Sequence, residues 1–279
     1  MPIHDDAERL LSEAQRFLRQ QRELYGDLLP IEHGATEPMK RVTPPPPATP
    51  APAGTDLFGE PDIPASSPVK GAATGTKLLP YPGEPWTSAD SLVSLNEQIC
   101  NCQKCALGST RKSFVFGVGN PNADVVIVGE APGADEDEQG EPFVGRAGQL
   151  LNKILEAIHF KREEVYICNI LKCRPPNNRE PQADEIGQCE PYLWKQLEII
   201  KPKMILCAGR VAGQALLRTN ASLTSLRGTV HDYRGIPLMV TYHPAALLRN
   251  PNWKRPCWED VQKFRTLYDE MKAKEQSAR

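Results

Sequence analysis

Four short apolar runs constrain the fold of this 279-residue chain more than any other feature. They are "DVVIVG" at Asp124–Gly129, "VYICNIL" at Val165–Leu171, "KMILCA" at Lys203–Ala208 and "PLMVTY" at Pro237–Tyr242. None alternates polar with apolar residues, so none has a face meant for water. Each reads as a strand buried on both sides. Helical spacing is found at Gly145–Ile158, Gln182–Ile200, Val211–Leu217, Ala245–Arg249 and Pro256–Lys272, and Gly228–Tyr233 pairs with the last strand as a hairpin. Strands alternating with helices predict an α/β fold with a mainly parallel central sheet and helices on both faces. The stretch from residue 88 to 279 is long enough for one such domain.

The chain ahead of it is different. Residues 5–29 place Leu10, Leu11, Ala14, Phe17, Leu18, Tyr25 and Leu28 on one face of an amphipathic helix, giving a first unit at 1–30. Residues 31–87 hold 13 of the 27 prolines and few large apolar residues, a composition that cannot bury a core. They read as a proline-rich disordered linker. Residues 1–90 carry 8 Lys/Arg against 13 Asp/Glu, and the remainder 25 against 22. The second part is mildly basic and permits a nucleic-acid partner without requiring one. No apolar stretch is long enough for a membrane span, and no basic-then-apolar leader follows Met1, so a cytoplasmic protein is expected.

The glycine-rich turn "GEAPGADEDEQGEPFVGRAG" follows the first buried strand. Its place suits a phosphate, but its chemistry does not. It lacks the G-x-G-x-x-G and P-loop patterns, and Asp135, Glu136, Asp137 and Glu138 would repel an anion. These acids read as a solvated loop face. Glu130 stands at the carboxyl end of a strand, where open α/β sheets place their sites. Phe143 either packs beneath the loop or offers a flat ligand a stacking surface.

Eight cysteines without a secretion signal favour metal over disulfides. Cys102 and Cys105 form a C-x2-C pair, Cys173 follows the second strand, and Cys189 lies on the next helix. Cys100 competes with Cys102, while Cys168 and Cys207 read as small core residues. On spacing alone, zinc and an iron–sulfur cluster both stay open. Farther along, "TYHPAALLRNPNWKR" sets His243 at a strand end, then Leu247 and Leu248, either core or a wedge between bases. Arg249, Lys254 and Arg255 surround Trp253 in a pattern met in nucleic-acid binding.

As a set, G-E-A-P-G…G-x-P-F-V-G-x-A-G, N-x-x-x-C-R-P-P-x-N-R-x-P, H-P-x-x-L-L-R and four spaced cysteines resemble the family 4 uracil-DNA glycosylases, over roughly residues 92–272. The resemblance implies a four-stranded, mainly parallel sheet and a structural 4Fe–4S cluster on Cys102, Cys105, Cys173 and Cys189. It implies excision of uracil from uracil-containing DNA, leaving an abasic site. Phe143 would stack on the extruded base, Asn169 would read its edge, and His243 would donate to O2. The Glu130–Gly133 turn, with Ala131 and Gly133, would add backbone donors. Leu247 and Leu248 would wedge the helix and Arg249 would hold a phosphate. Ala131 is small where other relatives carry Asp or Asn, leaving Glu130 either to steer water or to exclude thymine's methyl. Two other readings compete: a non-catalytic uracil- or DNA-binding module, and a four-cysteine zinc protein. A protein partner is expected through residues 5–29, or through 55–58, where "TDLF" resembles short sliding-clamp-binding peptides.

Overall fold

The computed structural model describes residues 83–277. The helix expected at 5–29, the 55–58 peptide and most of the proline-rich linker lie outside the described residues. The domain starts before residue 88. Pro85–Ser88 forms a 3-10 turn that buries Trp86 in the core, edge-on to Tyr192 with ring centroids 5.0 Å apart.

In chain order the helices are α1 (Leu92–Ile99), α2 (Leu107–Thr110), α3 (Ala134–Gln139), α4 (Arg146–Ala157), α5 (Ala183–Ile200), α6 (Arg210–Leu217), α7 (Leu223–Leu226), α8 (Pro244–Arg249) and α9 (Lys254–Ser277). The strands are β1 (Val118–Gly119), β2 (Val125–Gly129), β3 (Tyr166–Asn169), β4 (Met204–Ala208), β5 (Val230–Tyr233) and β6 (Ile236–Thr241). They form one six-stranded sheet in the order β1-β3-β2-β4-β6-β5. The inner four are parallel, and β1 and β5 close the two edges antiparallel. The expected four-stranded sheet is therefore its parallel centre, extended by two short edges.

The apolar runs divide cleanly between the faces because side chains alternate along a strand. Val126, Val128, Cys168, Ile205, Cys207 and Val240 join one cluster with Leu95 of α1 and Leu193 and Leu197 of α5. Val125, Ile127, Ile167, Met204, Leu206 and Met239 join a second with Leu151 and Leu155 of α4 and Val261 and Phe264 of α9. Every strand of the centre serves two cores, so none can afford a polar face. Among the described residues no helix is long and apolar enough to cross a membrane.

The register aligns Gly129 with Asn169 and Ala208 with Thr241 at the carboxyl ends. The chain leaves β2 toward β3 but leaves β4 toward β6, on the opposite side. That divergence opens a crevice at this end of the sheet.

Candidate active site and cysteine centre

The crevice is lined by the turn after β2, the loop before α4, the end of β3 and the start of α8. The four acids of the turn are not the solvated loop face expected of them. They lie on α3, and two face inward. Glu136 accepts from the backbone N–H groups of Gly133 (3.0 Å), Val144 (2.9 Å) and Gly145 (3.0 Å), tying the turn to the loop that carries Phe143. Asp137 is buried and accepts from the amides of Lys112 (2.9 Å) and Ser113 (3.3 Å). The Gly133 amide is thus already engaged, and Pro132 has none. Glu130 and Ala131 are the turn's remaining amides.

Phe143 is buried at a positive φ of 54°. Its ring stacks on that of His243, with centroids 5.4 Å apart and planes 27° apart. Gly129 makes room for it: a Cβ there would lie 2.7 Å from two Phe143 ring carbons and closer still to Asn169 Oδ1. Gly129, Phe143 and Asn169 therefore meet at one point. Asn169 is only 2% exposed, yet its Oδ1 has no hydrogen-bond partner. A buried amide oxygen left unpaired costs about 1–3 kcal/mol, so this one calls for an explanation.

His243 caps α8, its Nδ1 accepting from the Ala245 amide at 3.1 Å. An accepting Nδ1 puts the ring proton on Nε2, which is then a donor. Burial, reinforced by Arg249, lowers its pKa to about 4, so the ring is neutral at physiological pH. Glu130 is half-buried. Burial pushes its carboxyl above the usual range and Glu180 adds to this, while Arg210 and Arg249 act in the opposite direction. Ala131 is half-buried against the first apolar cluster. The two leucines of α8 separate: Leu247 is 2% exposed and belongs to the second core, whereas Leu248 is 41% exposed and Arg249 is exposed. Leu247 cannot wedge between bases while it holds α8 to the sheet, so that expectation passes to Leu248 alone.

The cysteines sort as the fold brings them together. Cys102, Cys105, Cys173 and Cys189 line one small cavity of about 10 Å³ with Phe114 and Tyr192. Cys100 is outside it, its thiol turned back to the Glu97 carbonyl. Cys168 and Cys207 are fully buried in strands, and Cys257 is buried beneath Thr241. Burial raises Cys173 to about 11 and Cys189 to about 12, so both stay thiols unless a metal takes the proton's place.

Sequence reasoning missed the groups around them. Arg111 donates to Cys173 Sγ (3.3 Å) and to the carbonyls of Cys102 (2.6 Å) and Cys100 (3.0 Å). Tyr192 Oη lies 3.2 Å from Cys102 Sγ. The Lys172 amide donates to Cys189 Sγ at 3.2 Å. Lys172 itself is wholly buried, its Nζ donating to the Asn169 carbonyl (2.9 Å) and Gln196 Oε1 (2.6 Å). It therefore joins the cysteine cavity to the strand end that carries Asn169. Its place between Leu171 and Cys173 in the N-x-x-x-C motif was the one available hint.

The family described as "Uracil DNA glycosylase superfamily" matches residues 116–262. The chain is 42% identical over 186 residues to the Type-4 uracil-DNA glycosylase of Archaeoglobus fulgidus, covering 64% of this chain and 94% of that one. It is 44% identical over 187 residues to that of Sulfurisphaera tokodaii, covering 64% and 85%. To the Thermotoga maritima enzyme it is 40% identical over 186 residues, covering 65% and 97%. With the family matching more than half of the chain and these relatives covered almost whole, the chain belongs to the type-4 uracil-DNA glycosylases, DNA-repair hydrolases that cut the N-glycosidic bond of uracil.

Proposed function

We propose that Asn169, Phe143 and His243 form the uracil pocket and that the four clustered cysteines hold a 4Fe–4S cluster. The unpaired Oδ1 of buried Asn169 is the observation that carries the first part. Uracil offers an N3–H donor to that oxygen and an O4 acceptor to the amide N–H, so the base would repay the desolvation left outstanding in the free protein. Phe143, fixed between Gly129 and the His243 ring, gives the base a stacking surface.

Breaking the C1′–N1 bond leaves its electron pair on the base, and the negative charge spreads to O2. A neutral His243 donating from Nε2 stabilises that charge without first having to lose a proton. The amides of Glu130 and Ala131 add to it. Positive charge grows on the sugar, and water adds at C1′. Glu130, a carboxylate at the same strand end, orients that water. Extrusion of the base costs a few kcal/mol, which Leu248 offsets from the helix side while Arg249 holds a phosphate.

The thiol set fits a cluster on its chemistry, four cysteines lining one cavity. When bound, the cluster supplies cross-links between α1's C-terminal loop, the loop after β3 and α5. Arg111 would supply positive charge beside the thiolates, and the Lys172 amide a hydrogen bond to Cys189.

The test is Asn169→Leu, which replaces the unpaired oxygen by an apolar group of similar size. Thermal stability should hold or rise, while single-turnover uracil release falls by about a hundredfold or more, the scale of a lost buried hydrogen-bond pair. Unchanged release would exclude Asn169 from the pocket.

A further inference from the structure

Few large apolar side chains among the described residues face water: Val93, Val230, Leu248 and Trp253. Two of these four flank one short turn beside the uracil pocket. Trp253 ends the 3-10 turn Pro251–Trp253, which follows α8 directly, and is 39% exposed. Its indole is held flat. It stacks on Tyr242 with centroids 5.3 Å apart and planes 18° apart, and the Arg227 guanidinium lies 5.4 Å from the Tyr242 ring centre. Tyr242 immediately precedes His243. Among the described residues no other ring and no cation lies on the indole.

A large aromatic side chain kept rigid, half in water and away from the core marks a binding surface more often than a packing defect. The surrounding charge names the partner. Arg249 and Arg255 are exposed, Arg255 beside Glu259 at 3.5 Å, and Lys254 adjoins them, so three cations against one acid give the indole a basic setting suited to phosphates. Position narrows it further. The Tyr242 ring under the indole belongs to the residue next to the pocket histidine, which puts Trp253 in the path of a strand whose uracil occupies the pocket.

We infer that the open face of Trp253 stacks on a nucleobase flanking the extruded uracil, one or two positions away in the same strand. Such stacking tolerates any sequence, because every base has a π-face. That suits an enzyme that must find uracil in any context. Leu248 fills the gap the uracil leaves, and Trp253 holds the strand beside that gap. The inference rests on the pocket reading above.

The test is a cycle between protein and DNA. Binding of the full-length protein to single-stranded oligonucleotides is measured by fluorescence anisotropy, using 2′-fluoro-deoxyuridine to prevent cleavage. One base at a time, at each of the two positions on either side, is replaced by an abasic spacer. Wild type should lose about tenfold in affinity at one flanking position. Trp253→Ala should lose a similar factor on the intact strand and nothing further on that spacer strand. Trp253→Phe should fall between. If Trp253→Ala responds to every spacer as wild type does, or if wild type responds to none, the inference is overturned. Failure of the pocket reading shows separately, as retained preference for uracil over cytosine in Asn169→Leu.

Discussion

Gly129→Ala adds a single methyl at the point where three site residues meet. Its Cβ would lie 2.7 Å from two ring carbons of Phe143, and nearer still to Asn169 Oδ1. Comfortable carbon–carbon contact is about 3.5–4.0 Å, so the ring must retreat by about 1 Å. Neither side chain has room to do so cheaply, since Phe143 is 5% and Asn169 2% exposed. Overpacking of this kind typically costs about 1–3 kcal/mol. In a domain of this size that lowers Tm by about 2–4 °C per kcal/mol, so the protein should still fold at 25 °C. Activity should suffer more than stability, because the methyl displaces the ring proposed to stack on uracil and the amide proposed to read it. Misplacement by about 1 Å is worth about a hundredfold in rate. Single-turnover uracil release and a melting curve on the same sample measure both. A Gly129→Ala protein with the wild-type rate would refute the proposed convergence of Phe143 and Asn169 on the base.

Two further outcomes are expected. Cys173→Ser should lose iron and the yellow-brown colour of the as-isolated protein together with thermal stability, measured by metal analysis and visible absorbance; a colourless wild type carrying one equivalent of zinc would contradict the cluster. Glu130 acts as a carboxylate and its folded pKa is raised, so activity should fall with decreasing pH through a value above the ordinary glutamate range, before His243 titrates at about 4. Glu130→Gln should be slower and should lose that acid limb, and a pH–rate profile identical to wild type would remove Glu130 from the reaction.

The parallel centre of the sheet was legible because β2, β3, β4 and β6 each feed two apolar clusters and so read as unbroken apolar runs. The edge β1 was not: two residues carry no periodicity, and its pairing with β3 depends on a partner far along the chain. α3 was misread as a solvated acidic loop because its rationale is tertiary. Glu136 reaches amides eight and nine residues on, and Asp137 reaches back 25 residues. Leu247 and Leu248 are indistinguishable by type, and only their positions on α8 divide core from surface. Lys172 is the sharpest miss. A lysine in a polar motif is expected at the surface, but this one is wholly buried on two acceptors. The cysteine spacing left zinc and an iron–sulfur cluster both open, and the fold adds that Cys102, Cys105, Cys173 and Cys189 share one cavity.

Asn169→Asp tests the central claim most directly, that one buried amide reads the uracil edge. The substitution keeps the size and the accepting Oδ1 but removes the N–H that faces O4. An ionised carboxylate can only accept, so it opposes both O4 and the charge growing on the leaving base. The measurement is single-turnover release of uracil and of cytosine from matched oligonucleotides across pH. Uracil release should fall by about one to two orders of magnitude, the equivalent of roughly 1–3 kcal/mol in transition-state binding, and should recover partly as pH falls and the carboxyl regains a proton. Cytosine release should rise relative to uracil, since a carboxylate accepts from N4–H. Wild-type uracil release at every pH would mean that the edge is read elsewhere and that Asn169 does not line the pocket.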